Sequence, residues 1–123
     1  MPEDAPEGDV IDPIVLENLR GLNEPGGPDV FVEILDLYLR DAPPRVEAVR
    51  RFAEDGDPDG VARAAHALKG SSQNVGARRL AAAAAALEER GRDRDLGDFE
   101  SLVRRLEAEF AIARSVLEAE KKR

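Results

Sequence analysis

Residues 61–75, VARAAHALKGSSQNV, show the clearest helical periodicity of the chain. An α-helix turns about 100° per residue, so the apolar and small side chains of this stretch fall within one stripe about 80° wide. The stripe consists of Val61, Ala65, Leu68, Ser72 and Val75. Such a stripe predicts an amphipathic helix that packs one face against a core.

The flanking sequence repeats this periodicity in segments separated by glycine, proline and aspartate. We expect further helices to begin near Pro13, Pro28, Pro58, Arg78 and Phe99. Pro43 and Pro44 are expected to end or kink the second of these, because proline lacks an N–H and clashes with the preceding turn. Gly91 is expected to end the fourth. No strand-length alternation is present, so the sequence predicts an all-α fold, an antiparallel four-helix bundle with one or two additional N-terminal helices.

The length of 123 residues suits one domain. Residues 1–11 are acidic and proline-containing, which predicts a flexible tail, and the bundle is expected over residues 12–121. No stretch approaches the roughly 20 apolar residues of a membrane span. The N-terminus lacks the basic start and apolar run of a signal peptide, so we expect a cytoplasmic protein.

The charge balance narrows the possible partners. Eighteen Lys and Arg against 26 Asp and Glu give a net charge of −8. An acidic surface disfavours nucleic acid and anionic membranes, which require basic surface to neutralise phosphates. The absence of cysteine excludes disulfides and thiolate chemistry, and a single histidine has no second histidine or cysteine with which to share a metal ion.

That histidine, His66, is expected on the solvent side of its helix, about 140° from the centre of the apolar stripe. A neutral imidazole has one bare nitrogen and is a competent nucleophile near neutral pH. No carboxylate lies three or four residues away to orient it as in a catalytic triad. A nucleophile without such an apparatus suits a carrier of a chemical group, and an inert surface histidine is the alternative.

Two further features favour a functional surface around His66. Gly70 lies one turn further on in mid-helix, where glycine costs about 1 kcal/mol relative to alanine, and close approach of another molecule would explain it. Residues 61–87 hold four basic side chains and no acidic one, a local charge of 4 − 0 = +4. This charge points to an anionic ligand or an acidic partner, and the alternative is chance in an alanine-rich stretch.

Residues 65–77, AHALKGSSQNVGA, followed by Leu80, resemble the signature of histidine-containing phosphotransfer (HPt) domains. The resemblance covers about residues 12–118. It implies a helical bundle that carries a phosphoryl group on His66 between aspartates of receiver domains, in hybrid histidine kinases and response regulators. It also implies that Lys69 stabilises the phosphoryl group, that Gly70 leaves room for the receiver and that Gln73 borders the docking face.

The sequence therefore predicts a phosphoryl carrier in a multistep phosphorelay, without kinase activity of its own. His66 and Lys69 are the predicted chemical residues. The predicted docking residues are Ala62, Arg63, Gly70, Gln73, Arg78 and Arg79. We expect a monomer with no cofactor of its own, and Mg²⁺ in the partner receiver domain. Two alternatives stay open: a helical module that docks receivers without carrying phosphate, and a phosphatase in which Gln73 activates water.

Overall fold

The computed structural model of the protein describes residues 7–123. These residues form helices and connecting turns, and no strand occurs among them. The six helices are α1 (Glu7–Val10), α2 (Pro13–Arg20), α3 (Val30–Glu54), α4 (Pro58–Asn74), α5 (Arg78–Arg92) and α6 (Phe99–Lys121).

Helices α3 to α6 form the bundle. Each packs against its two neighbours, and α6 closes the ring against α3. The connections are short, so consecutive helices run antiparallel. Every helix of the ring contributes fully buried leucines to one core, among them Leu35, Leu68, Leu87 and Leu106. The predicted four-helix bundle with one or two additional N-terminal helices is confirmed, and the additional helices are α1 and α2.

Aspartates set the beginnings of three helices. Asp12, Asp29 and Asp57 are the N-cap residues of α2, α3 and α4, and each side chain accepts a hydrogen bond from a backbone N–H of the first turn. These N–H groups have no partner inside the helix, so an aspartate before a helix specifies where it begins. The predicted beginnings at Pro13 and Pro58 follow from this chemistry.

The N-terminal segment differs from the predicted flexible tail. Residues 1–6 lie outside the described residues, but residues 7–10 form α1, which packs against α5 and α6. Val10 and Ile11 are buried. The backbone N–H of Asp12 donates a hydrogen bond of 2.7 Å to the carbonyl of Gly76. The prediction is wrong for residues 7–11, because two apolar side chains outweigh the acidic composition around them.

Helix α3 continues through the two prolines. Pro43 and Pro44 lie inside it, although an interior proline costs about 3 kcal/mol or more. Ala42 before the prolines and Val46 after them are both buried on the same core face. Because the apolar face continues across the prolines, packing holds the helix together there, and the expected end of the helix does not occur.

Ser72, the polar member of the apolar stripe of α4, is fully buried with a partner. Its hydroxyl lies 2.8 Å from the hydroxyl of Tyr38 on α3. Burial raises the pKa of Tyr38 to about 12, so the phenol stays neutral at physiological pH. The pair satisfies both hydroxyl groups inside the core and joins α3 to α4.

Gly91 brings α4 and α5 unusually close together. A Cβ atom at this position would lie 2.6 Å from the carbonyl oxygen of Pro58 and 2.7 Å from the backbone nitrogen of Ala62. The predicted end of α5 at Gly91 does not occur: Gly91 lies buried within the helix, which continues to Arg92. This close approach places the side chains of α5 within reach of those of α4.

No helix within residues 7–123 has both the length and the apolar character needed to cross a membrane.

Candidate functional site

His66 lies in the middle of α4 with its side chain 63 % exposed. The apolar stripe of α4 faces the core, so a residue on the opposite side of the helix must face solvent. The predicted exposure of His66 is confirmed. The imidazole is nevertheless held in place, because one of its nitrogens has a partner on the next helix.

That partner is Glu88 of α5, a buried carboxylate that sequence reasoning did not select. Its Oε2 lies 2.8 Å from Nδ1 of His66, and its Oε1 lies 2.7 Å from Nζ of Lys69. Arg92, one turn further along α5, forms an ion pair with the same carboxylate. The Glu88 side chain is only 3 % exposed, so one carboxylate holds three partners at the surface of the bundle.

The state of Glu88 fixes the proton on His66. Burial raises the pKa of the Glu88 carboxyl, but hydrogen bonds from Lys69 and His66 and the charge of Arg92 outweigh burial, and the net pKa is lowered. The carboxylate is therefore ionised near neutral pH and can only accept hydrogen bonds. Nδ1 of His66 must donate, which leaves the lone pair of the neutral imidazole on Nε2. Nε2 has no hydrogen-bond partner among residues 7–123.

The other residues selected on α4 lie on the same side as His66. From the helical turn of about 100° per residue, they all fall within about 60° of it. These residues are Ala62, Arg63, Lys69, Gly70 and Gln73. A Cβ atom at Gly70 would meet nothing within 4 Å, so no contact inside the protein requires glycine there. The space beside Gly70 is open to a partner.

Arg78 and Arg79 lie apart from His66. They begin α5, ten and nine residues before Glu88, which corresponds to about 15 and 14 Å along the helix axis. The guanidinium of Arg79 donates at 3.0 Å to the buried Glu109 of α6, and Arg78 lies 3.8 Å from a carboxylate oxygen of Asp12. Arg79 thus pairs with α6 and Arg78 with the residue before α2, at the opposite end of α5 from Glu88, and their part in docking stays a prediction.

Glu88 and Arg92 are the two residues of the site that the sequence did not reveal. Only residues of the same helix can be placed beside His66 from their spacing, whereas Glu88 and Arg92 belong to α5. One signal was available: Glu88 is an acidic residue beside Leu87 on the apolar side of its helix, between Ala84 and Gly91. An ionised carboxylate at a buried position is costly unless cations pair with it. Glu88 pairs with three side chains.

Comparisons with known proteins identify the family. The sequence model of the Hpt domain matches residues 33–116. The crystal structure of histidine-containing phosphotransfer protein B (HptB) from Pseudomonas aeruginosa PAO1 matches with a TM-score of 0.84 and 31 % sequence identity. That match covers 92 % of this chain and 95 % of the other. No curated protein sequence matches the chain.

The chain belongs to the Hpt domain family. Hpt domains are phosphocarrier modules, and the family and structural matches support a role in histidine phosphotransfer within a phosphorelay. Proteins of the family interact with receiver domains. Within residues 7–123 no group of three or more His, Cys, Asp and Glu side chains is arranged to hold a metal ion.

Proposed function

We propose that His66 accepts a phosphoryl group on Nε2 from a receiver-domain aspartate and passes it to the aspartate of another receiver. The observation that carries this proposal is the exposed imidazole whose Nδ1 is held by the buried carboxylate of Glu88. An ionised carboxylate on Nδ1 makes Nε2 the nucleophile, and the helix presents Nε2 to solvent. His66 is also the only histidine of the chain.

The transfer step follows from this geometry. The lone pair of Nε2 forms the nitrogen–phosphorus bond while the bond between phosphorus and the aspartate oxygen breaks, and that oxygen keeps the bonding electrons as carboxylate. Nδ1 keeps its proton, so the phosphorylated ring gains positive charge, and the carboxylate of Glu88 faces it at 2.8 Å. This contact stabilises the positive charge of the phosphorylated ring as the ring forms. The step requires no proton transfer. The reverse step delivers the phosphoryl group to the second receiver.

Lys69 is the proposed cation for the transferred group. It lies three residues after His66, and its Nζ is held by Glu88 near the imidazole. A cation placed there can offset negative charge on the phosphoryl oxygens, which is most of what phosphoryl transfer requires of a protein. We assign the Mg²⁺ of the reaction to the receiver domain, and no kinase activity to this chain.

The proposed docking face is the exposed side of α4 around His66. It comprises Ala62, Arg63, Gly70 and Gln73, and we leave Arg78 and Arg79 outside it. The open space at Gly70 means that Gly70→Leu is expected to fold normally but to weaken receiver binding, because the new side chain occupies the space that the receiver needs. Titration of a receiver domain by calorimetry measures this, and an unchanged affinity would show that Gly70 has no role in docking.

The function is tested by transfer of ³²P from phosphorylated receiver domains to the native protein and to His66→Gln in parallel. We expect label on the native chain alone, labile in acid and stable in alkali, as phosphohistidine is. Receivers that dock but never transfer label would indicate a docking module instead. Repeated dephosphorylation of receivers by His66→Gln would indicate a phosphatase.

A further inference from the structure

A shallow cavity that is open to solvent lies in the surface beside His66, on the side away from Lys69. It has a volume of about 280 Å³ and is lined by Ala62, Arg63, His66 and Arg92. The lining combines the imidazole with two guanidinium groups, in a protein whose net charge is −8. A cavity of this composition fits an anion.

The two arginines reach the cavity from different helices. Arg63 lies one turn before His66 on α4, is exposed, and has no ion-pair partner among residues 7–123. Arg92 lies near the end of α5 with its side chain 65 % exposed, and its ion pair with Glu88 holds it beside the imidazole. A guanidinium has five N–H donors, so Arg92 can keep its contact with Glu88 and still donate to a second anion.

We propose that Arg63 and Arg92 form an arginine cradle, a pair of guanidinium groups that binds the phosphoryl group once it is attached to His66. The proposal rests on the phosphotransfer function proposed above. A phosphoryl group brings nearly two negative charges at neutral pH, and the planar guanidinium matches its oxygens in geometry. The cradle lies on the N-terminal side of His66, which leaves the Gly70 side of the helix open to the receiver.

The charged groups that face the phosphoryl group are Arg63 and Lys69 from α4 and Glu88 and Arg92 from α5. Nearby cations stabilise the dianion over the monoanion, so each arginine lowers the pH at which the attached phosphoryl group titrates. We expect a shift of about 1 pH unit or less for each arginine, since both side chains are exposed. Because the phosphoryl group is bonded to His66 of the same chain, the cradle acts on it without a receiver present.

The test uses the full chain loaded with phosphoramidate. Nε2 of His66 attacks phosphorus, the nitrogen–phosphorus bond of phosphoramidate breaks, and ammonia leaves. The titration midpoint of the attached phosphoryl group is then followed by ³¹P NMR. We expect a higher midpoint in Arg63→Gln and in Arg92→Gln than in the native chain, and the highest midpoint in the double variant.

The matched control is Arg90→Gln. It removes one positive charge from the same end of α5, but Arg90 lies about 200° around the helix from Glu88 and does not line the cavity. Its midpoint is expected to equal that of the native chain. Because Arg63 has no contact with Glu88, a shift in Arg63→Gln cannot arise from a rearranged carboxylate.

Equal midpoints in all variants would overturn the cradle. Orthophosphate is titrated separately into the unphosphorylated protein. Chemical-shift changes at the two arginines without any midpoint difference would mean a site for free phosphate, and would also overturn the proposal. Loading by phosphoramidate does not need a receiver. The cradle can therefore fail while transfer from receivers succeeds, and the phosphotransfer function can fail while the midpoints differ.

Discussion

At the scale of single residues, Glu88 determines what His66 can do. A buried carboxylate is destabilising unless it is paired and hydrogen-bonded. Glu88 is paired with the imidazole of His66, the ammonium of Lys69 and the guanidinium of Arg92. The same three contacts fix the tautomer of His66 and hold Lys69 next to it. The nucleophile and its cation are thus ordered before a receiver arrives.

The Glu88→Gln variant tests this role. Glutamine keeps the shape of the side chain but removes the charge that holds Nδ1–H and faces the phosphorylated ring. We expect transfer from a phosphorylated receiver to slow about 10- to 100-fold, the equivalent of one charged hydrogen bond of about 1.5–3 kcal/mol. Single-turnover transfer measures the rate, and ¹⁵N chemical shifts of the imidazole report its tautomer.

Glu89→Gln is the control for this variant, since it neutralises the adjacent and exposed carboxylate of the same helix. It is expected to leave both the rate and the tautomer unchanged. A native rate and a native tautomer in Glu88→Gln would refute the positioning role.

The sequence identifies His66, Lys69 and Gly70 because they share one helix and their spacing can be read directly. It does not identify Glu88 or Arg92, which approach His66 only after α4 and α5 pack. It also groups Arg79 with His66 on charge alone, whereas the buried Glu109, 30 residues away along the chain, binds its side chain. Contacts within one helix can be predicted from a helical repeat, but contacts between helices depend on register and distance.

At the scale of the elements, the pairing of α4 with α5 builds the site. The backbone contact at Gly91 sets the distance between the two helices, and Glu88 lies one turn before it. Two glycines in these helices therefore serve opposite purposes. Gly91 is required by a neighbouring backbone, whereas Gly70 faces open space.

Substitution of each glycine by alanine separates the two purposes. Gly70→Ala is expected to raise the free energy of unfolding by up to about 1 kcal/mol, because alanine is the better helix former. Gly91→Ala is expected to lower it by about 1–3 kcal/mol, because its Cβ would meet the backbone of Pro58 and Ala62. Urea denaturation measures both, and equal effects of the two substitutions would contradict the structure.

The helices themselves could largely be predicted, since the 3.6-residue periodicity and the capping aspartates are local signals. The exceptions have tertiary causes. Pro43 and Pro44 stay within α3 because a continuous buried face holds the helix on both sides of them. Residues 7–10 are helical because Val10 and Ile11 are buried with the rest of the core, which the acidic composition of the segment conceals.

At the scale of the whole molecule, arginines form ion pairs with acidic residues of distant helices and so join those helices. Arg50 of α3 binds Glu100 and Glu107 of α6 at 2.9 and 2.8 Å. Hydrogen bonds from Arg50 lower the pKa of both carboxyls by more than burial raises it. Arg50 thus links the first helix of the bundle to the last and closes the ring.

This arrangement predicts how stability depends on pH. A carboxyl with a lowered pKa in the folded state takes up its proton more readily when unfolded. The stabilisation is fully present above the ordinary pKa of 4.5 and is lost as the pH falls through the lower folded value. We expect Arg50→Gln to weaken the loss of stability below pH 4.5, as measured by urea denaturation at pH 7 and at acidic pH.

Arg105→Gln serves as the control, because it removes the same charge from an exposed position on α6. Its acid dependence is expected to match that of the native chain. An acid dependence in Arg50→Gln as steep as in the native chain would mean that the carboxyls of Glu100 and Glu107 are not coupled to folding through Arg50.

The attachment of the phosphoryl group to Nε2 of His66 can be observed by ¹⁵N–³¹P correlated NMR on the ¹⁵N-labelled protein after transfer from a phosphorylated receiver. We expect coupling between phosphorus and Nε2 of His66, with the proton still on Nδ1. Coupling of phosphorus to Nδ1, or to no imidazole nitrogen of a chain that has accepted phosphate, would contradict it.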